Sequence, residues 1–204
     1  MAGFLPWMWL FGAGMGCSLS TFPHSQCTTN QDCRDAFGWG SVCSLEGPTV
    51  GLCDAVKPQP RCDAYPTDLI QRRADFEDAI IIGIQFDKSS FNAEMQAAKL
   101  AVTEVMLNGG LDGQPYGLVE CTNEESPLYD ELTQDEANLA VSEYLADQIG
   151  VVGMIGPATS SRVNAAFQEV EKYGTLLITP SATSPALTPL DGIESTFDSP
   201  GLLW

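Results

Sequence analysis

The apolar residues of this chain change their spacing at about residue 79. From Ala79 to Phe86 the run AIIIGIQF is continuous and β-branched, as a strand buried on both faces requires. Phe91, Met95, Ala98, Val102 and Met106 then recur at helical spacing, and Gly109 supplies the left-handed residue that ends such a helix. YGLVEC (Tyr116–Cys121) predicts a second strand. In TQDEANLAVSEYLADQIG, Thr133 and Glu136 have the spacing of a capping box, in which each side chain covers an orphan amide at a helix start, and Gly150 closes the helix. VVGMIG, SSRVNAAFQEVEKYG and TLLITP predict a third strand, a third helix buried along Val163, Phe167 and Val170, and a fourth strand.

Strands alternating with helices over short connections predict an α/β fold: a doubly wound parallel sheet with helices on both faces and right-handed crossovers. In such sheets ligands sit outside the carboxyl ends of the strands, where the winding reverses. The loops at that edge are DKSSF, NEESPLYDE, PATSS and PSATSP, after strands one to four.

Upstream the texture differs. Residues 18–65 have turn chemistry throughout and no long apolar run, and residues 54–60, DAVKPQP, read as a linker. Of seven cysteines, Cys27, Cys33, Cys43, Cys53 and Cys62 fall here, without the C-x-x-C pair or nearby histidines that zinc usually takes. Disulfides and an oxidising compartment are therefore expected, each bridge contributing ~3 kcal/mol to a segment with little apolar core. Cys27, Cys33, Cys43 and Cys53 can pair in three ways, which sequence does not resolve. Residues 1–17 are apolar, uncharged and shorter than a membrane span, as in a signal peptide. Small residues meeting Cys17 resemble a bacterial lipobox, which would lipidate Cys17 and anchor the protein in a membrane of the cell envelope, on its periplasmic or surface face. The other reading is an ordinary signal peptide with Cys17 as one more disulfide cysteine.

The formal charge is −18, and Ala101 to Ser161 contains eleven acids and no Lys or Arg. Without cationic contacts for phosphates, nucleic acid is not an expected partner. Catalysis is not expected either: the single histidine, His24, lies outside the α/β region, and no nucleophile elbow or P-loop is present. No cofactor and no metal site are expected.

The candidate chemistry is in two hydroxyl-rich loops. Ser160 and Ser161 stand at the start of the third helix, where unpaired amides and the helix dipole suit an anion, a carboxylate included. Ser181 and Thr183 follow the fourth strand on the same edge. Alternatively, Ser160 or Ser161 caps its own helix.

AAKLAVTEVMLNGGLDGQPYGLVEC and VVGMIGPATSSRVNAAFQEVEKYGTLLITPSATSPALT, with their spacing, resemble the leucine/isoleucine/valine-binding proteins of the type I periplasmic-binding family. The likeness covers Ala79 to about Leu190. It implies an amino-terminal lobe over residues 78–204, truncated before the second lobe, with the apolar end Leu202, Leu203 and Trp204 cut where it would enter the hinge. It implies a binding protein that captures an amino acid or similar small polar ligand for an ABC permease. Ser160 would bind the ligand carboxylate, Ser181 and Thr183 would contact the same headgroup, and Phe86 to Ser90 would wall the cleft. A protein-interaction role without a small ligand is the alternative. Cys121 stands outside the cysteine-rich module, and a bridge from Cys62 to Cys121, tying module to lobe, is expected.

Overall fold

The structure is a computed structural model that describes residues 26–187 and, as backbone only, residues 202–203. The expectations for residues 1–17, Cys17 among them, and for Trp204 lie outside the described residues.

The predicted alternation is present. Strands β4 (Ile80–Phe86), β5 (Tyr116–Thr122), β6 (Gly153–Ile155) and β7 (Leu176–Ile178) pair in parallel in the order β5-β4-β6-β7. Helix α2 (Asn92–Leu107) covers one face, packing Met95 and Val102 on Ile84, Phe86 and Leu118. Helices α3 (Gln134–Glu143) and α4 (Ser160–Val170) cover the other, with Val141, Val163, Ala166, Phe167 and Val170 against Ile81, Val119, Met154 and Leu177. Neighbours on β5 thus divide between layers, Leu118 to one and Val119 to the other, as a two-residue period demands. The order places the reversal of winding between β4 and β6. Thr133 and Glu136 form the predicted capping box. Helix α3 continues through a π-helical segment, Tyr144–Ile149, and ends at Gly150 with φ 75°.

Two strands extend this sheet. Leu202–Leu203 (β8) pair in parallel with β7. At the other edge β3 (Cys62–Tyr65) runs antiparallel to β5, so the sheet is mixed rather than wholly parallel. CDAY is four residues without an apolar run, too short for a periodicity reading, yet it needs only one neighbour because it forms an edge.

The module holds further elements that the turn-rich sequence concealed. Helix α1 (Asn30–Phe37) starts with a capping box between Thr29 and Asp32. Strands β1 (Ser41–Cys43) and β2 (Cys53–Ala55) form an antiparallel pair, so Asp54 and Ala55, read as linker, belong to a ladder. The bridges are Cys27–Cys43, Cys33–Cys53 and Cys62–Cys121, the last being the expected tie to the lobe. Cys62 and Cys121 are directly opposed across β3 and β5.

The module is fastened at the amino ends of the strands. Gly40 N–H donates to Ile149 C=O at 2.7 Å, the Trp39 indole donates to Phe76 C=O at 2.8 Å, and Arg34 pairs with Asp147. Arg34 lies so close to Gly150 that a Cβ there would meet its side chain at 2.2 Å. Trp39 and Val56 join the main core. The Tyr144 hydroxyl donates to Lys57 C=O at 3.0 Å, and burial pushes its pKa up to about 12.

Candidate functional site

The carboxyl ends of β6 and β7 carry the two hydroxyl loops, and the fold brings them into contact. After β6 the chain turns at Gly156, whose φ is +99° and whose missing Cβ would lie 2.0 Å from Gln85 C=O. Only glycine lets the chain pass the end of β4 this closely. Gly156 N–H donates to Ile178 C=O at 2.8 Å. Thr179 hydroxyl donates to Pro157 C=O and Ser181 hydroxyl to Ala158 C=O, each at 3.0 Å. Ser184 N–H donates to Ser160 Oγ at 3.2 Å.

Of the predicted residues, Ser160 is half-buried at the first position of α4 and Ser181 is exposed on the facing loop. Ser161 and Thr183 are exposed beside them. Phe86 ends β4, but its ring is turned under the edge: it is 2% exposed and stacks on Phe91 with centroids 5.1 Å apart. The Phe86 position borders the site as core rather than as surface.

The start of α4 is not closed by its own side chains. Its N-cap, Thr159, makes no side-chain capping bond, and the first helical bond runs from Val163 N–H to Thr159 C=O. The preceding amides, of Ser160, Ser161 and Arg162, have no place in the helical ladder and form the positive end of the dipole. Ser160 Oγ accepts from Ser184 and keeps its own proton to donate. Helix α3 contrasts with this, since Thr133 and Glu136 cap its start reciprocally and the bonds from Thr133 hold the Glu136 carboxyl below its ordinary pKa. Unpaired donors beside a cluster of neutral hydroxyls can hold a carboxylate. No nucleophile–base pair is formed by the site's residues.

A buried polar network that the sequence did not reveal lies behind this edge. Gln85, fully buried on β4, donates to Asn138 Oδ1 at 2.9 Å and accepts from Ser142 hydroxyl at 2.9 Å. Asn123 donates to Asn138 Oδ1 at 3.3 Å, and Asn138 donates to Arg162 C=O at 3.2 Å. The Arg162 guanidinium reaches Gln134 and Asp135 at the start of α3. These residues join the loop after β5 and helix α3 to the first turn of α4. A polar residue at the next-to-last place of an apolar strand, Gln85 in AIIIGIQF, was the available signal.

A cavity of about 550 Å³ opens at the opposite end, between module and lobe, lined by Arg34, Trp39, Glu77, Asp78 and Tyr173 among others. It is remote from the hydroxyl loops.

No known family profile and no curated protein matches the chain. Among solved structures it is similar to the branched-chain amino acid transporter substrate binding protein LivJ from Streptococcus pneumoniae, in complex with isoleucine, at 33% identity over 54% of this chain and 31% of that one, TM-score 0.48. It is similar to an ABC transporter substrate-binding protein from Desulfitobacterium hafniense in complex with Leu, at 29% identity over 54% and 31% of the chains, TM-score 0.45. It is also similar to the leucine binding protein LivK from Thermotoga maritima, at 16% identity over 54% and 30%, TM-score 0.43. The chain spans about a third of the length of these proteins.

Proposed function

We propose that the chain is an extracytoplasmic binding protein that captures an amino acid or similar small polar ligand and does no chemistry on it. The observation that carries this reading is the junction of the two hydroxyl loops, Ser184 N–H on Ser160 Oγ and Ser181 on Ala158 C=O, beside the uncapped start of α4. The ligand carboxylate sits on the α4 amides and the Ser160 hydroxyl, and Thr183 contacts the same headgroup. Neutral donors suffice because the headgroup of an amino acid is a zwitterion. Delivery to an ABC permease and a lipid anchor at Cys17 complete the proposal.

Calorimetry with a panel of amino acids tests it. Ser160→Ala removes one donor to a charged group and is expected to weaken binding about tenfold or more, from the ~1.5–3 kcal/mol such bonds are worth. Thr183→Ala gives a smaller loss. Unchanged affinity in both variants removes the headgroup assignment.

A further inference from the structure

The loop from Asn123 to Thr133 carries Glu124, Glu125, Asp130 and Glu131 and no base, and it is held by one cation from elsewhere in the chain. Arg61 is 5% exposed. Its Nε donates to Asp130 Oδ2 at 2.6 Å, its Nη2 to Asp130 Oδ1, and its Nη1 to Glu124 C=O at 2.8 Å. Its guanidinium lies 5.4 Å from the centre of the Tyr129 ring, and its carbonyl accepts from Thr122 N–H at 2.9 Å. The next residue, Cys62, is bridged to Cys121. Backbone and neighbouring disulfide thus fix Arg61 to the end of β5, and its side chain fixes the loop that follows.

The contacts continue toward the hydroxyl loops. Asp130 Oδ1 accepts from Leu132 N–H at 3.0 Å, one residue before Thr133 caps α3. Gln134, the first residue of α3, accepts from Arg162, and Gln134 Nε2 lies 3.4 Å from Asp87 on the loop after β4. Arg162 is in the first turn of α4, which begins at Ser160. Ser160 in turn holds the loop after β7 through Ser184.

We propose that Arg61 is a positioning residue for the ligand site: acting through Asp130, Gln134 and Arg162, it sets where α4 begins relative to the loop after β7. This rests on the ligand reading above for its meaning, but not for its test. The cysteine-rich module then has a function at the far end of the lobe from most of its fastenings. A bidentate, stacked guanidinium fixes direction as well as charge, which an ammonium does not.

Amide hydrogen exchange on the full chain, without ligand, tests the path directly. In Arg61→Gln, the Ser184 and Val163 amides are expected to exchange about tenfold faster than in wild type, alongside Leu132, while those of α2 stay unchanged. Arg61→Lys is expected to restore part of the protection. Faster exchange at Leu132 with wild-type rates at Ser184 and Val163 overturns the proposal, because Arg61 is then an anchor of the acidic loop alone. If Arg61→Gln does not fold, Asp130→Asn gives the same comparison from the other partner. Calorimetry with the amino-acid panel adds a second arm: a bound amino acid loses about tenfold in affinity in Arg61→Gln, and equal affinity overturns the proposal. Should no amino acid bind the wild-type chain, the ligand reading falls, and the exchange rates at Ser184 and Val163 still decide the role of Arg61.

Discussion

The module and the lobe hold themselves together by opposite means. At the centre of the module are sulfurs: Cys27, Cys33 and Cys43 are buried against one another and Cys53 packs on them. Its remaining buried apolar residues, Trp39 and Val56, belong to the core of the lobe. The lobe needs no covalent aid among its own elements, since two apolar layers run the length of its parallel strands. Its one bridge, Cys62–Cys121, points outward to the edge strand β3. A short loop-rich segment gains order by limiting its unfolded state, whereas a sheet flanked by helices gains it by burial. The module is therefore expected to be separable from the lobe in stability, and the lobe to depend on close packing at a few positions.

The sharpest test of the lobe's half of this contrast is Gly156→Ala. Strained φ and contact with Gln85 C=O together are expected to remove roughly 4 kcal/mol in urea unfolding, through backbone strain and overpacking. A variant as stable as wild type would mean that the end of β4 yields easily.

Cys33→Ser with Cys53→Ser, opening a bridge of sequence separation 20, is expected to remove about 3 kcal/mol from the module. Hydrogen exchange should show α1, β1 and β2 losing protection while β4 and β6 keep theirs. Loss in all of them would make module and lobe one cooperative unit and end the comparison.

A smaller effect is expected inside the lobe at Lys99, whose ammonium lies 2.6 Å from the buried Glu120 carboxylate. Burial raises the Glu120 pKa, against the pull of Lys99. Its folded value is above its unfolded one, so the charged form weakens the fold at high pH and this penalty is relieved as pH falls through the folded value. Lys99→Met, which leaves that charge unpaired, should cost about 2 kcal/mol at pH 7 and clearly less near pH 5, read by urea unfolding at both values.

The smallest effect belongs to one of the contacts between the two regions, that of Arg61 with Asp130. Bonding to Arg61 holds the Asp130 carboxyl below its ordinary range. Its contribution is full above the unfolded value of about 3.9 and is lost as pH falls through the lower folded value. Asp130→Asn should flatten that part of the acid unfolding curve. An identical curve would show the pair to be too solvated to matter.

Reading of the fold from the sequence succeeded where the signal was local and repeated. AIIIGIQF, the helix from Met95 to Met106 and the Thr133–Glu136 box each declare themselves within one element. It failed at α1, where NQDCRDAF buries only Cys33 and so carries no apolar stripe, and at β3, which is too short to show a period. Of the candidate site, the two hydroxyl loops were legible because each follows an apolar run. The burial of Phe86 was not, since residues on either face of a doubly covered strand look alike in sequence.

The sequence by itself determined the alternation of strands and helices, the place where hydroxyls gather, and the presence of a cysteine-stapled module, because periodicity, caps and composition act over a few residues. Only the tertiary structure decided which partners the charges take. Arg61 and Asp130 are 69 residues apart, and Ser160 and Ser184 are 24 apart. The acidic stretch from Ala101 to Ser161 had to find its cations elsewhere, but pairing across such distances is fixed by how β3, β5 and α4 stack, and no local pattern encodes that.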